Sequence, residues 1–214
     1  MELVGILGCG FIGYGIGSIS SGYLAGRLYR NVDLRTVGSG STGATNTFRT
    51  LGLGAAILVA VLDILKGAVS VWIATVLVNG PGEQRSIAAA LAAVAAVAGH
   101  CWPAFLEGRG GRGVATGFGA LLFIATPAWV VAVVAFMLAL ALTRMVSVGS
   151  LASVAGAVVG YAIFVVAGYL SFHWAVLGFI LIAGAIVVFR HRANIDRIAR
   201  GKEPRLGGSA SQRT

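Results

Sequence analysis

A series of apolar runs about 20 residues long, separated by short polar segments, constrains this chain most. A run of that length spans the hydrocarbon core of a bilayer as a helix, because each residue adds about 1.5 Å to a core about 30 Å thick. Charged residues make up only 11% of the 214 residues, well below the roughly 25% of a soluble domain. The sequence therefore predicts an all-α integral membrane protein with one domain, residues 1–206, and a disordered cytoplasmic tail, residues 207–214.

Five membrane spans follow directly from the apolar runs, near residues 3–25, 54–78, 86–106, 150–169 and 171–189. The stretch 114–143 is ambiguous, because its 30 residues contain Pro127. It forms either one long kinked span or two short spans that meet near this proline.

The distribution of basic residues decides between these alternatives. Arginines crowd the loop 27–50, the loop 107–113 and the tail from Arg190, whereas the loop near 79–85 and the turn 169–173 have almost none. If 114–143 crosses twice, Arg144 and all three basic segments fall on one side, as the positive-inside rule requires. We therefore expect seven transmembrane helices, with the N-terminus outside and the C-terminus in the cytoplasm. The same rule explains the net charge of +9 without a nucleic-acid partner.

The first cytoplasmic loop contains the stretch GSGSTGATNTFR, residues 38–49. It matches the letters of a dinucleotide fingerprint, G-x-G-x-x-G, but no strand precedes it and no ribose-binding acid follows in a suitable place. Its glycines still allow the backbone to approach an oxyanion, and Arg49 supplies a planar cation. Hydrogen-bond donors come from Ser39, Ser41, Thr42, Thr45 and Asn46. The alternative is a flexible loop with helix caps.

The second cluster follows His100, where Arg109 and Arg112 alternate with glycines before an apolar run. Arginines and glycines at a helix start favour phosphate binding, and the alternative is an ordinary basic turn. His191 and Asp196, in the third cluster, match the letters H-x-x-x-x-D of an acyltransferase acid and base pair. A spacing of five places them about 140° apart on a helix, which argues against that pair.

His191 and Asn194, by contrast, share one helix face, although a snorkelling basic belt would also explain the third cluster. Asp63 and Lys66 lie three residues apart inside a span, where we expect them to pair. Ser147 lies at the cytoplasmic end of another span. Glycines, hydroxyls and arginines thus converge on one membrane face, which favours phosphate-bearing substrates beside the bilayer.

Taken together, these segments resemble the bacterial acyl-phosphate-dependent glycerol-3-phosphate acyltransferase family, PlsY. The matching segments are GSGSTGATNTFRTLG at 38–52, LDILKG at 62–67, GHCWPAFLEGRGGRGVATG at 99–117, VSVGS at 146–150 and RHRANIDRIARGKEPR at 190–205. The resemblance implies a seven-helix enzyme of the bacterial inner membrane with a cytoplasmic active site. It implies acyl transfer from acyl phosphate to the sn-1 hydroxyl of sn-glycerol 3-phosphate, the first step of phospholipid biosynthesis. The products are lysophosphatidic acid and inorganic phosphate, and no metal or other cofactor is implied.

The resemblance also implies a set of site residues. The catalytic positions are Ser39, Arg49, Arg112, His191 and Asn194. The substrate-binding positions are Gly38, Gly40, Thr45, Asn46, Gly110, Gly111, Gly113 and Ser147. The chain departs from the family pattern in having Arg109 and Arg112 in place of the usual lysines, Ala193 in place of a frequent glutamate, and Asp196 in place of a frequent asparagine.

A membrane transporter of a phosphorylated metabolite is the alternative function. Transporters place their sites near the midplane and often contain internal repeats, whereas the polar clusters here lie on one face. The expected partners are acyl phosphate, glycerol 3-phosphate and membrane lipid. The sequence leaves open the acyl-chain preference, the proton acceptor and the oligomeric state, which is compatible with a monomer.

Overall fold

Helices form every regular element in the part of the chain that the computed structural model describes, residues 2–78, 80 and 82–207. The α-helices are α1 (Glu2–Ser18), α2 (Ser21–Arg30), α3 (Ala44–Leu51), α4 (Leu53–Leu77), α5 (Gly82–Cys101), α6 (Val114–Ile124), α7 (Thr126–Thr143), α8 (Val146–Val166), α9 (Trp174–Arg190) and α10 (Arg192–Ala199), with a short 3₁₀-helix at Ala104–Leu106. The predicted all-α class is confirmed. Of the predicted tail, only Gly207 lies within the described residues, beside the guanidinium of Arg144.

Within the described residues, five helical segments are long and apolar enough to cross a membrane, and each corresponds to a predicted span, one of them to the second half of 114–143. The five are Leu3–Arg30, Leu53–Leu77, Gly82–Leu106, Thr126–Thr143 and Val146–Val166. α9 and α10 form a sixth if they count as one span with a 60° bend. α6 has only 11 residues, fewer than a straight crossing needs. The chain is thus a multi-pass membrane protein, and the count of seven spans and the orientation stay predictions.

The ambiguous stretch 114–143 forms two helices that fold back on each other. α6 ends at Ile124 and α7 begins at Thr126, with Pro127 in the first turn of α7. The rings of Phe118 and Phe136 lie 5.9 Å apart, although 18 residues of continuous helix would separate them by about 27 Å. The chain therefore reverses at Ala125, as the proline and the charge distribution predicted.

The first span contains a break that the sequence analysis did not predict. The helix is interrupted at Ile19 and Ser20, between α1 and α2. A broken helix leaves backbone carbonyls without partners, which is costly away from water. The Lys66 ammonium compensates here by donating a hydrogen bond of 3.0 Å to the Ile19 carbonyl.

Small residues line the helix contacts, and large apolar residues face outward. A β-carbon at Gly13 or Gly17 of α1 would overlap the carbonyl oxygens of Ala92 and Ala96 of α5. Phe11, Leu142 and Val166 are each more than 80% exposed. This distribution is typical of membrane helices, since lipid solvates large apolar side chains and close packing of backbones drives association.

The polar loops meet at one end of the bundle. The Tyr14 hydroxyl donates to the Trp102 carbonyl at 2.7 Å, and Arg35 donates to the Leu106 carbonyl at 3.4 Å. The backbone of Leu206 donates to the Arg144 carbonyl at 2.7 Å. The first loop, the glycine-rich loop and the C-terminal segment are thus brought to the same face, although they are far apart in sequence.

Candidate active site

Asn46 determines the shape of the first loop. This buried side chain, in the first turn of α3, donates from Nδ2 to the carbonyls of Leu34, Val37 and Ser41 at 2.9 to 3.1 Å. Its Oδ1 accepts a hydrogen bond of 3.0 Å from the Ser39 backbone. The sequence analysis predicted that Asn46 offers a donor to a ligand. Because its amide has no free donor in the structure, Asn46 instead organises the loop.

The loop geometry requires glycine at two of the predicted positions. Gly38 and Gly40 both have positive φ, +59° and +67°, a conformation that L-residues rarely adopt. A β-carbon at Gly38 would also overlap the Asn46 amide oxygen. Within this frame Ser39 is exposed, and its side-chain role stays a prediction.

Arg49 extends from α3 and is exposed. Among the described residues, no carboxylate lies within 4.0 Å of its guanidinium, whereas Arg35 is neutralised by Asp33 at 2.8 Å. The Arg35 guanidinium in turn holds the pKa of Asp33 at about 2. Thr45 precedes Arg49 by one helical turn, which places both residues on the same face of α3. The first loop therefore presents a cation that the chain itself does not neutralise.

The glycine-rich loop is held by hydrogen bonds on both sides. The backbone N–H groups of Gly110 and Gly111 donate to the carbonyls of Cys101 and His100 at 3.3 and 3.0 Å, and the predicted substrate-binding role of the two glycines stays a prediction. The carbonyls of both glycines accept hydrogen bonds from Arg190, at 3.2 and 3.0 Å. These two glycines thus have no free amide donor, and they serve to hold the loop in place.

The end of this loop presents Arg112 at the start of α6. Gly113, with φ of +86°, turns the chain into the helix, and a β-carbon there would lie 2.9 Å from Val97. No hydrogen-bond partner within the described ranges engages the backbone N–H groups of Arg112 and Gly113. A helix N-terminus with free N–H groups favours an anion.

Arg112 is partly buried among other charges. Burial lowers its pKa to about 10, and the charges of Arg197, Arg49 and Arg190 act in the same direction. The carboxylate of Glu203 opposes them. Two arginines from separate clusters, Arg49 and Arg112, are therefore close enough to repel each other, and an anion between them would relieve that repulsion. Arg109, by contrast, is exposed.

His191 lies at the junction of α9 and α10 and is almost completely buried. Its Nδ1 is 2.8 Å from the carbonyl oxygen of Val187. Because a carbonyl oxygen only accepts hydrogen bonds, Nδ1 carries the hydrogen and Nε2 keeps its lone pair in the neutral ring. The ring is therefore oriented to accept a proton or a hydrogen bond at Nε2. Asp196 pairs with Arg200 at 2.9 Å, so it does not form the H-x-x-x-x-D pair.

Glu203 joins two predicted site residues and was missed by the sequence analysis. Its Oε1 accepts hydrogen bonds from the Ser147 hydroxyl at 2.7 Å and from the Asn194 amide at 2.6 Å. Its Oε2 accepts a hydrogen bond of 2.8 Å from Arg197. Burial would raise the pKa of Glu203, but the three hydrogen bonds outweigh burial and hold it below its ordinary value. An acid in a strongly basic tail was the one signal available from the sequence.

An apolar groove leads away from this cluster into the bundle. It is a cleft of about 50 Å³ between α6, α7, α8 and α9. Val114, directly after the glycine-rich loop, and Val187, one turn before His191, both line it. Ser153 is the one polar side chain among its lining residues. The apolar lining suits part of an acyl chain whose polar end would lie at the arginines.

Charge interactions link Arg112 to Arg49, His191 and Glu203, and Glu203 accepts a hydrogen bond from Asn194. No described contact joins Ser39, Gly40 or Thr45 to them, so those roles stay predictions. Within residues 2–78, 80 and 82–207, no group of three or more His, Cys, Asp or Glu side chains has the arrangement of a metal site.

Comparison with known proteins gives one consistent family. The sequence matches the family model for glycerol-3-phosphate acyltransferase over residues 7–201. The glycerol-3-phosphate acyltransferase of Synechococcus elongatus is 41% identical over 208 residues, which cover 96% of each chain. That of Gloeobacter violaceus is 40% identical over 205 residues, covering 96% of this chain and 97% of the relative.

Solved structures agree with these relatives. The crystal structure of PlsY, an integral membrane glycerol 3-phosphate acyltransferase, in its glycerol 3-phosphate form, superposes with a TM-score of 0.83 at 33% identity. The match covers 94% of this chain and 96% of PlsY. The lysophosphatidic acid form of PlsY gives a TM-score of 0.81 at 32% identity, covering 94% and 95%. By sequence and by structure, the chain belongs to the glycerol-3-phosphate acyltransferase family.

Proposed function

We propose that this chain transfers an acyl group from acyl phosphate to the sn-1 hydroxyl of sn-glycerol 3-phosphate. The products are lysophosphatidic acid and inorganic phosphate, and the reaction begins phospholipid synthesis. One observation carries the proposal: Arg112, whose charge interacts with those of Arg49 and His191, lies beside the start of an apolar groove, where His191 presents Nε2 as an acceptor. The forms in which PlsY was crystallised, with glycerol 3-phosphate and with lysophosphatidic acid, support the acceptor and the product.

The chemistry requires positioning and charge stabilisation more than a covalent intermediate. The glycerol hydroxyl oxygen attacks the acyl carbonyl carbon, the new ester C–O bond forms, and the bond from that carbon to the phosphate oxygen breaks. Phosphate is a good leaving group, so no enzyme nucleophile is needed. Arg49 and Arg112 hold the phosphate groups of the two reactants, which converts an encounter in solution into a reaction within one site.

His191 orients the attacking hydroxyl. Its lone pair at Nε2 accepts a hydrogen bond from that group, while the Val187 carbonyl fixes the other side of the ring. The hydroxyl proton then moves to Nε2 or to a phosphate oxygen of the acyl donor. Ser147 and Asn194 border the same pocket, and Glu203 fixes their orientation. Ser39 contributes to phosphate binding from the first loop.

We further propose the topology that places this site in the cytoplasm. Seven crossings, with α6 and α7 as a short pair, put the N-terminus outside and every basic loop inside the bacterial inner membrane. Labelling of single introduced cysteines in intact cells tests it. A cysteine near residue 170 should react with an impermeant maleimide, and one at Arg109 should react after the membrane is opened.

Product formation by the purified protein in detergent tests the proposed reaction. Glycerol 3-phosphate is offered with acyl phosphate in one sample and with acyl-coenzyme A in another. Turnover with acyl phosphate alone is expected. Turnover with the thioester would replace the proposed donor. Absence of product in both samples, from protein with an intact thermal unfolding transition, would refute the reaction and favour the transporter.

A further inference from the structure

A buried polar cluster links three helices just behind the two anion-binding loops. Asp63 of α4 lies 2.9 Å from Lys66 Nζ and 3.6 Å from His100 Nδ1, and it accepts a hydrogen bond of 3.1 Å from the Ser21 hydroxyl. All four side chains are at least 92% buried. The pairing of Asp63 with Lys66 confirms the sequence expectation. Neither Ser21 nor His100 was expected to take part.

Pairing within α4 does not explain the whole cluster. Lys66 already neutralises Asp63, so the ion pair alone would satisfy the requirement that a charge within a membrane has a partner. The carboxylate nevertheless also contacts α2 through Ser21 and α5 through His100. All three contacts are made by Oδ1 of Asp63, so this one oxygen is the common point between α2, α4 and α5.

One of these contacts leads to the glycine-rich loop. A β-carbon at Gly111 would overlap Nε2 of His100, so the loop lies directly against this ring. The Gly111 backbone also donates to the His100 carbonyl at 3.0 Å. His100 therefore fixes the backbone immediately before Arg112.

The other contact leads to the first loop. Ser21 begins α2, and its neighbour Gly22 packs so closely that a β-carbon there would overlap the Thr42 carbonyl. Thr42 is buried and lies between Ser39 and Arg49. Displacement of the start of α2 would therefore move the loop that carries the first set of anion-binding groups.

We propose that Asp63 is a positioning residue that sets the distance between the two anion-binding loops, through Ser21 on one side and His100 on the other. The inference rests on the proposed function for its kinetic consequence. Lys66 balances the charge of Asp63 and closes the break after α1 through the Ile19 carbonyl. The cluster thus connects the first span to both loops.

Removal of the ion pair as a unit tests this role. Replacement of a buried pair by apolar residues of similar size often leaves stability unchanged. The double variant Asp63→Leu/Lys66→Met should therefore fold, with a lower unfolding temperature because the Ile19 carbonyl loses its partner. Its kcat/KM for glycerol 3-phosphate should fall about 100-fold, since a displacement of about 1 Å can cost that much. Thermal unfolding in detergent reports the fold. Parent-like kinetics in the folded double variant would overturn the proposal.

A second variant keeps the ion pair of Asp63 and Lys66 and removes only the contact through His100 to the glycine-rich loop. His100→Gln should raise the KM for glycerol 3-phosphate at least about tenfold, with a smaller change in the KM for acyl phosphate. Ser70→Ala is the matched control, because Ser70 is buried in the same helix and donates to the Lys66 carbonyl without reaching either loop. Equal KM values in His100→Gln and the parent would refute the role of His100. An equal rise in the KM for glycerol 3-phosphate in His100→Gln and Ser70→Ala would show that the cluster only stabilises the fold.

Calorimetric titration with glycerol 3-phosphate separates this inference from the proposed reaction. A parent chain that binds glycerol 3-phosphate without turnover refutes the reaction, and weaker binding by His100→Gln than by Ser70→Ala then still supports the positioning role. Equal binding by parent, His100→Gln and Ser70→Ala, or no binding by the parent, overturns it.

Discussion

Replacement of Arg112 by lysine should give the reaction an alkaline limit that the parent chain lacks below about pH 10. Burial and three neighbouring arginines lower the pKa of Arg112 from 12.5 to about 10. A lysine, whose ordinary pKa is about 10.4, would have a pKa of about 8 in the same surroundings. Its charge would be present below that pH and lost above it, so kcat/KM for glycerol 3-phosphate should fall about fivefold between pH 8 and pH 9.

The assay is the pH dependence of kcat/KM, which reports ionisation of the free enzyme. A phosphate monoester has its second pKa near 6, so the substrate does not titrate between pH 7.5 and 9.5. Arg109→Lys is the matched control, because Arg109 is in the same loop but exposed, and its profile should follow the parent. A flat profile for Arg112→Lys up to pH 9.5 would show that the side chain is not desolvated or that its charge does not serve binding or catalysis.

Four further substitutions test other parts of the site. Arg49→Ala should abolish turnover and leave the unfolding temperature unchanged, and retained activity would remove Arg49 from the site. Glu203→Ala should lower kcat/KM about 100-fold, because two buried donors lose their acceptor, whereas Asp196→Ala should match the parent in the same assay. His191→Gln should lower kcat about 100-fold if Nε2 is the base, and a loss below tenfold would assign the proton to the donor phosphate. Asn46→Ala should destabilise the protein by about 4 kcal/mol in denaturant unfolding, at about 1 kcal/mol for each of four lost hydrogen bonds, and an unchanged transition would contradict its structural role.

Much of the fold could be predicted because lipid imposes a simple rule on the sequence. Apolar runs of spanning length marked the main helices, and the asymmetry of arginines indicated that the stretch 114–143 reverses. The break at Ile19 was missed, although the glycines and serines of residues 17–22 are weak helix formers. Its compensating partner, Lys66, is 47 residues further along the chain and could not be inferred from the local sequence. A local pattern shows where a helix is possible, and a distant side chain decides where it can be interrupted.

Site residues could be predicted by type, but the bonds they make could not. Gly110 and Gly111 lie in the loop where the sequence placed them, yet their amides and carbonyls are occupied by His100, Cys101 and Arg190. Those partners are fixed by how α5, the loop and α9 pack together. Glycine spacing reveals that a backbone approaches something closely, and it does not distinguish a ligand from another part of the chain.

Ion pairs distinguish three arginines with a structural role from the two predicted site arginines. Arg35, Arg197 and Arg200 each have a carboxylate partner within 3 Å. Within the described ranges, Arg49 and Arg112 have none within 4.0 Å, although their charges are close enough to influence each other. Glu203 opposes the repulsion at Arg112, but this carboxylate is already bonded to Ser147, Asn194 and Arg197. Positive charge therefore remains in excess at the two arginines, and holding like charges together costs stability. We expect substrate phosphate to bind there, so glycerol 3-phosphate should raise the unfolding temperature of the parent, and Arg49→Ala should reduce that increase.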